Sequence, residues 1–241
     1  MAAVTKSFSS VSSPQKKGGF APVVAITSQP RISDADRFDA TYRDAQGDPS
    51  CIPWADNRAN PALITWLGAV APTLLRCGSR VAVVGCGLGH DAVALIERGY
   101  DVTAFDISPT AIAWAKQRHP RHCSAFHMAD LFDPPSRWVH RFELVVEIYT
   151  VQSLHPSRRS EALTALANLV ARHGHMLMIC RAAREPVPIE SGPPWAITQD
   201  ELVCTAAVAG LEPVVGALHT FADDEDPPIE RTRVLFRRAK I

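Results

Sequence analysis

Short apolar runs alternate along this chain with longer stretches whose apolar positions recur at helical spacing. Residues 81–84 are β-branched or small, uncharged and too few for a helix, the pattern of a parallel strand buried on both faces. Residues 101–107, 123–128, 142–149 and 175–180 repeat the pattern, and 142–149 is apolar enough to be central. Helical spacing predicts helices over 91–98, 109–118 and 156–171, the last with Leu163, Leu166, Leu169 and Val170 on one face and Gly174 as its cap. Upstream, 34–42 reads as a short helix with Phe38 and Tyr42 four apart, and 47–54 as a loop ending in Trp54. Asn60-Pro61 opens a helix over 62–75 that Gly78 ends.

Downstream, residues 182–197 hold four prolines and Gly192, too long a break for a plain strand-to-helix loop, and are expected to form a lid or pocket wall. Thr198 and Glu201 have capping-box spacing and open a helix to about Ala209. Strands at 212–221 and 232–238 finish the chain, joined by the acidic run Asp223 to Asp226. The sum is an α/β chain. It predicts a Rossmann-like, doubly wound sheet of about seven strands, mostly parallel with an antiparallel terminal strand, and helices on both faces.

Composition narrows the setting. Lys+Arg and Asp+Glu balance at 25 each among 241 residues, so nothing points to a polyanion or an anionic membrane surface. No run approaches the roughly 20 apolar residues that span a bilayer. Residues 1–33 are Ser-rich, without acids, and are expected to be a disordered segment ahead of one domain at 34–241. The six cysteines form no C-x-x-C pair; four sit in apolar runs or against the glycine turn, which suits reduced, buried thiols in a cytoplasmic protein. His119, His122 and His127 lack ligand spacing, and Asp223 to Asp226 lacks a calcium-loop pattern and reads as a solvated hairpin tip, so no metal is expected.

Candidate chemistry starts where the first strand breaks into Gly85, Gly87 and Gly89. A strand, a turn without Cβ atoms and a helix N-terminus let a nucleotide-bearing cofactor approach the backbone closely. A dinucleotide fingerprint needs glycine at position 90, where His90 stands. The G-x-G-x-G spacing here is associated instead with S-adenosylmethionine (SAM), although glycines after a strand also make simple turns. Asp106 ends the second strand about 20 residues after the first glycine, where a ribose-binding carboxylate is expected. Asp130-Leu131, Glu147, Tyr149 and Arg181 fall at the carboxyl ends of the next three strands, the ligand-binding end of an open α/β sheet.

These residues carry a resemblance. The chain resembles class I SAM-dependent methyltransferases, and among them the thiopurine and thiol methyltransferase family, through VVGCGLGHD (83–91), FDISP (105–109), Ala129-Asp130-Leu131-Phe132, VVEIYTVQSLHP (145–156), GPPWAIT (192–198) with Glu201-Leu202, and Pro53-Trp54. Most class I enzymes carry an acid two residues before the first glycine. Val83 stands there, and Asp91 follows the glycines as in the thiopurine-like branch.

The resemblance implies SAM as cofactor and a small-molecule methyl acceptor; the lack of a basic stripe and of a spanning apolar run leaves no nucleic acid or membrane partner expected, and a monomer is favoured. It assigns Gly85, Cys86 and Gly87 to backbone approach, Asp106 and Ile107 to the ribose side, Asp130 and Leu131 to the adenine, and Glu147 and Tyr149 to the methionine end. Trp54 is expected against cofactor or acceptor, and Arg181 and Trp195 along the acceptor. Tyr149, Gln152 and His155 are the candidates for proton handling, needed for a hydroxyl or ring nitrogen but not for a partly ionised thiol. His155 has a helix-cap reading, Arg181 a surface-salt-bridge reading and Trp195 a packing reading beside these. The expected activity is methylation at sulfur or another soft heteroatom, in detoxification or secondary-metabolite tailoring. The alternatives are an O- or N-methyltransferase of an aromatic or heterocyclic metabolite, a nicotinamide oxidoreductase and a non-catalytic SAM-binding module.

Overall fold

The computed structural model describes residues 33–239, so the expectation for 1–33 falls, Ser33 apart, outside the described residues. Among the described residues, eight strands run in chain order: β1 (Arg80–Val84), β2 (Asp101–Asp106), β3 (Phe126–Met128), β4 (Phe142–Ile148), β5 (Val170–Ala183), β6 (Ile197–Thr198), β7 (Leu211–Ala222) and β8 (Glu230–Arg238). The sheet order is β3-β2-β1-β4-β5-β8-β7, with the short β6 paired to β5. Pairing from β3 through β5 is parallel, and β8 lies antiparallel between β5 and β7. The expected architecture is the one observed.

Residues alternate between two cores, as the two-residue period of a strand requires. Ala82, Val84, Val145, Met176 and Met178 pack with Leu163 and Leu166 of α6 (Arg159–Leu169) and Leu202 and Ala206 of α7 (Gln199–Val208). Val81, Val83, Leu144, Val146 and Leu177 pack on the other face. Their partners are Leu63 and Trp66 of α2 (Pro61–Ala69), Leu95 of α4 (His90–Ile96) and Ile112 of α5 (Pro109–Arg118). Fully burying one such leucine is worth about 1.5–3 kcal/mol. The layers thus fix the strand ends on which the site is built.

Several local expectations are corrected. The helix expected over 62–75 breaks at Val70 into α2 and a short α3 (Ala71–Leu74), because Pro72 lacks the N–H that would continue the ladder. Gly174 is not a helix cap. The helix ends at Leu169, β5 begins at Val170, and a register shift follows; a Cβ on Gly174 would stand 2.7 Å from the Phe142 carbonyl oxygen. Residues 123–125 belong to a 3-10 turn, leaving β3 shorter than expected. The cysteines are free, but only Cys180 is buried; Cys51, Cys77, Cys123 and Cys204 are exposed on turns and helix surfaces. No helix among the described residues is long and apolar enough to cross a membrane.

Candidate active site

β1 lies between β2 and β4, and its end is the centre of the site. Val84 is in register with Phe105 on one side and Glu147 on the other. Gly85, Gly87 and Gly89 all adopt positive φ, and a Cβ on Gly85 would stand 2.2 Å from Thr150 Oγ1. Only glycine accommodates that combination of backbone and contact. The Cys86 N–H donates to the Phe105 carbonyl at 3.0 Å, binding the turn to β2. Asp106 closes it from the same side: Oδ2 accepts the Gly87 N–H and Oδ1 the Ser108 N–H, both at 2.9 Å. Burial pushes the Asp106 carboxyl above its usual range, against those hydrogen bonds. Ile107 beside it is half-buried.

Glu147 is the second carboxylate, two strand spacings from Asp106 or about 10 Å across the sheet. It is fully buried, and its Oε1 accepts the N–H groups of Thr150 at 2.7 Å and Val151 at 2.9 Å. Among the described residues its Oε2 has no partner, and burial pushes its pKa up to about 7. A buried orphan oxygen is costly and marks a place where a cation or donor would be satisfied. Glycine turn, flanking carboxylates and orphan oxygen together fit a nucleoside joined to a charged amino-acid tail.

The first helix, α1 (Asp34–Asp44), covers this turn and was not read from the sequence as part of the site. Tyr42 is buried, and its hydroxyl lies 3.0 Å from where a Cβ on Gly87 would stand. It accepts the Trp54 Nε1–H at 3.0 Å, and Phe38 and Trp54 meet edge to face. Trp54 stays 42% exposed, so it rims the turn rather than plugging the core. Asp39 Oδ1 accepts the Ser108 hydroxyl at 2.7 Å and the Thr110 N–H at 3.0 Å, and Arg37 donates to the Ser153 carbonyl at 2.9 Å. The helix is thereby tied to strand ends on both sides of β1.

The other expected residues divide. Asp130 caps its own turn, Oδ1 accepting the Phe132 N–H at 2.8 Å, and Leu131 is buried against the core beneath. Gln152 is a strut: its Oε1 accepts the Arg181 N–H at 2.5 Å and its carbonyl the Trp195 N–H at 2.8 Å. His155 is exposed and caps a 3-10 turn, Nδ1 accepting the Ser157 N–H, in line with its cap reading. Trp195 is buried, its Nε1–H donating to the Ile189 carbonyl at 2.6 Å, and it anchors the 182–197 stretch from within. Buried Arg159 holds the Trp195 carbonyl at 3.1 Å and Glu201 at 2.5 Å.

Tyr149 directly follows β4 with φ of 67°, a strained backbone for a bulky residue. Its hydroxyl accepts the Asn60 Nδ2–H at 3.0 Å, and the Arg231 guanidinium lies 4.4 Å over its ring. Arg181 is half-buried beside them, in register with Arg231 across β5 and β8. The acidic run is therefore more than a solvated tip: Asp223 Oδ2 accepts Arg231 Nε–H at 2.6 Å and Glu225 pairs with the same guanidinium. Among the described residues, no group of His, Cys, Asp and Glu could hold a metal ion.

Thiocyanate methyltransferase 1 of Arabidopsis thaliana is 24% identical to the chain over 147 residues, 60% of this chain and 62% of that protein. The chain spans less than two thirds of the length of the curated relatives it matches. Solved methyltransferase structures share the fold, two of them as follows. The Burkholderia thailandensis 1,6-didemethyltoxoflavin-N1-methyltransferase, with bound 1,6-didemethyltoxoflavin and S-adenosylhomocysteine, has a TM-score of 0.65 at 17% identity, over 85% of this chain and 87% of that one. The magnesium protoporphyrin IX methyltransferase of Synechocystis PCC 6803, with bound SAM, has a TM-score of 0.66 at 16% identity, over 88% and 100%. The family model for thiopurine S-methyltransferase (TPMT) matches residues 34–225, from α1 to the acidic run that holds Arg231. The chain belongs to the thiopurine S-methyltransferase family.

Proposed function

We propose that this protein transfers the methyl group of SAM to the sulfur of a small thiol. The observation that carries it is the left-handed glycine turn between Asp106 and Glu147, in a chain of the TPMT family. When bound, SAM supplies a methyl carbon already activated by its sulfonium. An acceptor lone pair held in line with the S–CH₃ bond would then displace the thioether, which would keep the bonding pair.

The chain's own residues have modest work. Gly85, Cys86 and Gly87 bring backbone to the cofactor, Asp106 takes the ribose hydroxyls, and Asp130 and Leu131 border the adenine. Glu147 Oε2 answers the positive charge of the methionine end. Trp54 and Tyr42 close the turn against water. Holding the two reactants in attack geometry can supply on the order of 7 kcal/mol or more.

The choice of sulfur is supported by what the candidate bases do. Gln152 and His155 spend hydrogen bonds on backbone amides, so neither is a free base. A thiol needs none, because with a pKa of about 8.5 it is partly ionised at neutral pH. Arg181, beside Arg231, favours an anionic acceptor.

The test is a series of aryl and alkyl thiols of graded acidity, with kcat/KM followed against pH. Rates should rise with the ionisation of each thiol, the midpoint tracking the acceptor. A midpoint fixed across the series, or product only from phenols or ring nitrogens, would assign the protein a base and a different acceptor.

A further inference from the structure

We propose that Asn60 is a positioning residue for methyl transfer: by donating Nδ2–H to the Tyr149 oxygen, it leaves the phenol's one proton for the methyl acceptor. This rests on the methyl-transfer reading above and deepens it by naming the group that meets the acceptor's heteroatom.

The orientation of the Asn60 amide is fixed by its other duties. As the N-cap of α2, its Oδ1 faces the N–H groups of Ala62 at 3.0 Å and Leu63 at 3.3 Å. Those groups only donate, so the atom facing them is the oxygen and the atom facing Tyr149 is the NH₂. An NH₂ group cannot accept, so the phenol oxygen must. A phenol has one O–H, and among the described residues Tyr149 makes no second side-chain hydrogen bond. The Asn60 backbone N–H donates to Asp91 Oδ1 at 2.7 Å, tying the residue to the helix that follows the glycine turn. Asn60 is 6% exposed, and so is shielded from competing water.

Tyr149 is held as firmly. Its N–H donates to the Ile179 carbonyl at 3.0 Å, and its ring lies beneath Arg231, which Asp223 and Glu225 fix in turn. Strained backbone that persists at a strand end marks a functional constraint. A donor at the acceptor atom stabilises its anion and so raises the thiolate fraction near neutral pH. The charged groups around the phenol are Arg231, which favours phenolate, and Asp223 and Asp56, which oppose it.

Asn60→Asp separates this role from a structural one. Aspartate caps a helix as well as asparagine does, but it presents an oxygen to Tyr149 and draws the phenol proton away from the acceptor. The expected result is a fall in kcat/KM for a thiol of about ten-fold, with the acid limb of its pH profile moved about one unit alkaline. SAM affinity by calorimetry should stay unchanged. Tyr149→Phe should give the same loss, and the double variant no more than either alone. Asn60→Ser, which keeps the cap and removes the donor without adding charge, should retain more activity than Asn60→Asp and guards against a folding artefact. An unshifted profile in Asn60→Asp, or losses that add in the double variant, would overturn the inference while wild-type turnover leaves the methyl-transfer reading standing. No methylated thiol from the wild-type protein would overturn that reading itself.

Discussion

Asp106 accepts the Gly87 N–H at 2.9 Å, so the carboxylate that ends β2 also shapes the glycine turn that ends β1. On the proposed reading, one residue thereby orders the backbone that would approach the cofactor and offers the charge that would recognise it. Its other oxygen, on the Ser108 N–H, leads directly into α5.

Asp106→Ala should therefore weaken SAM binding. Hydrogen bonds to a charged group are worth about 1.5–3 kcal/mol, so the Kd should rise on the order of 10- to 100-fold. Titration calorimetry reads this directly, with circular dichroism to verify the fold. Unchanged affinity would mean that the cofactor lies elsewhere.

Glu147 predicts a pH dependence of stability. Its folded pKa of about 7 lies above the ordinary 4.5, so between those values the folded chain keeps a proton that the unfolded chain has released. Stability from this group is complete below about pH 4.5, falls as pH rises through the window and is flat above it. Glu147→Gln removes the slope, and its stability relative to wild type should improve by about 3 kcal/mol between pH 4.5 and 8. Urea unfolding of both proteins at the two pH values decides it. A constant difference between them would show that Glu147 is ionised throughout.

Gln152→Ala should loosen the stretch between β5 and α7. The half-buried Arg181 N–H would lose its acceptor, at a cost of about 1 kcal/mol. Faster hydrogen exchange and proteolysis across 182–197 are expected, with a raised KM for the acceptor and an unchanged Kd for SAM. An unaltered exchange pattern would remove Gln152 from its role as a strut.

The parts of this fold legible in the sequence are those whose cause is local. Buried strands, the glycine turn and Asp106 each follow from a period or a spacing within about 20 residues. Tyr42, Asp39, Asn60 and Arg231 were missed as site residues because their meaning comes from partners far along the chain. Asn60 and Tyr149 are 89 residues apart, and Asp39 and Ser108 are 69 apart. Asn60 looked like a helix start and is one; nothing local says that its amide has a second task. Gly174 misled for a different reason, since a glycine after an amphipathic run marks a cap or a close backbone approach equally well. Pro72 was the local signal that the 62–75 helix had to break, and helical spacing outweighed it.

The most direct measurement is incubation of the protein with methyl-deuterated SAM and a small aryl thiol, with both products read by mass spectrometry. The account predicts deuteromethyl thioether and S-adenosylhomocysteine in equal amounts, both lost together in Asp106→Ala at limiting SAM. Binding of SAM without labelled thioether, or a label found only on oxygen or nitrogen when such acceptors are added, would contradict it.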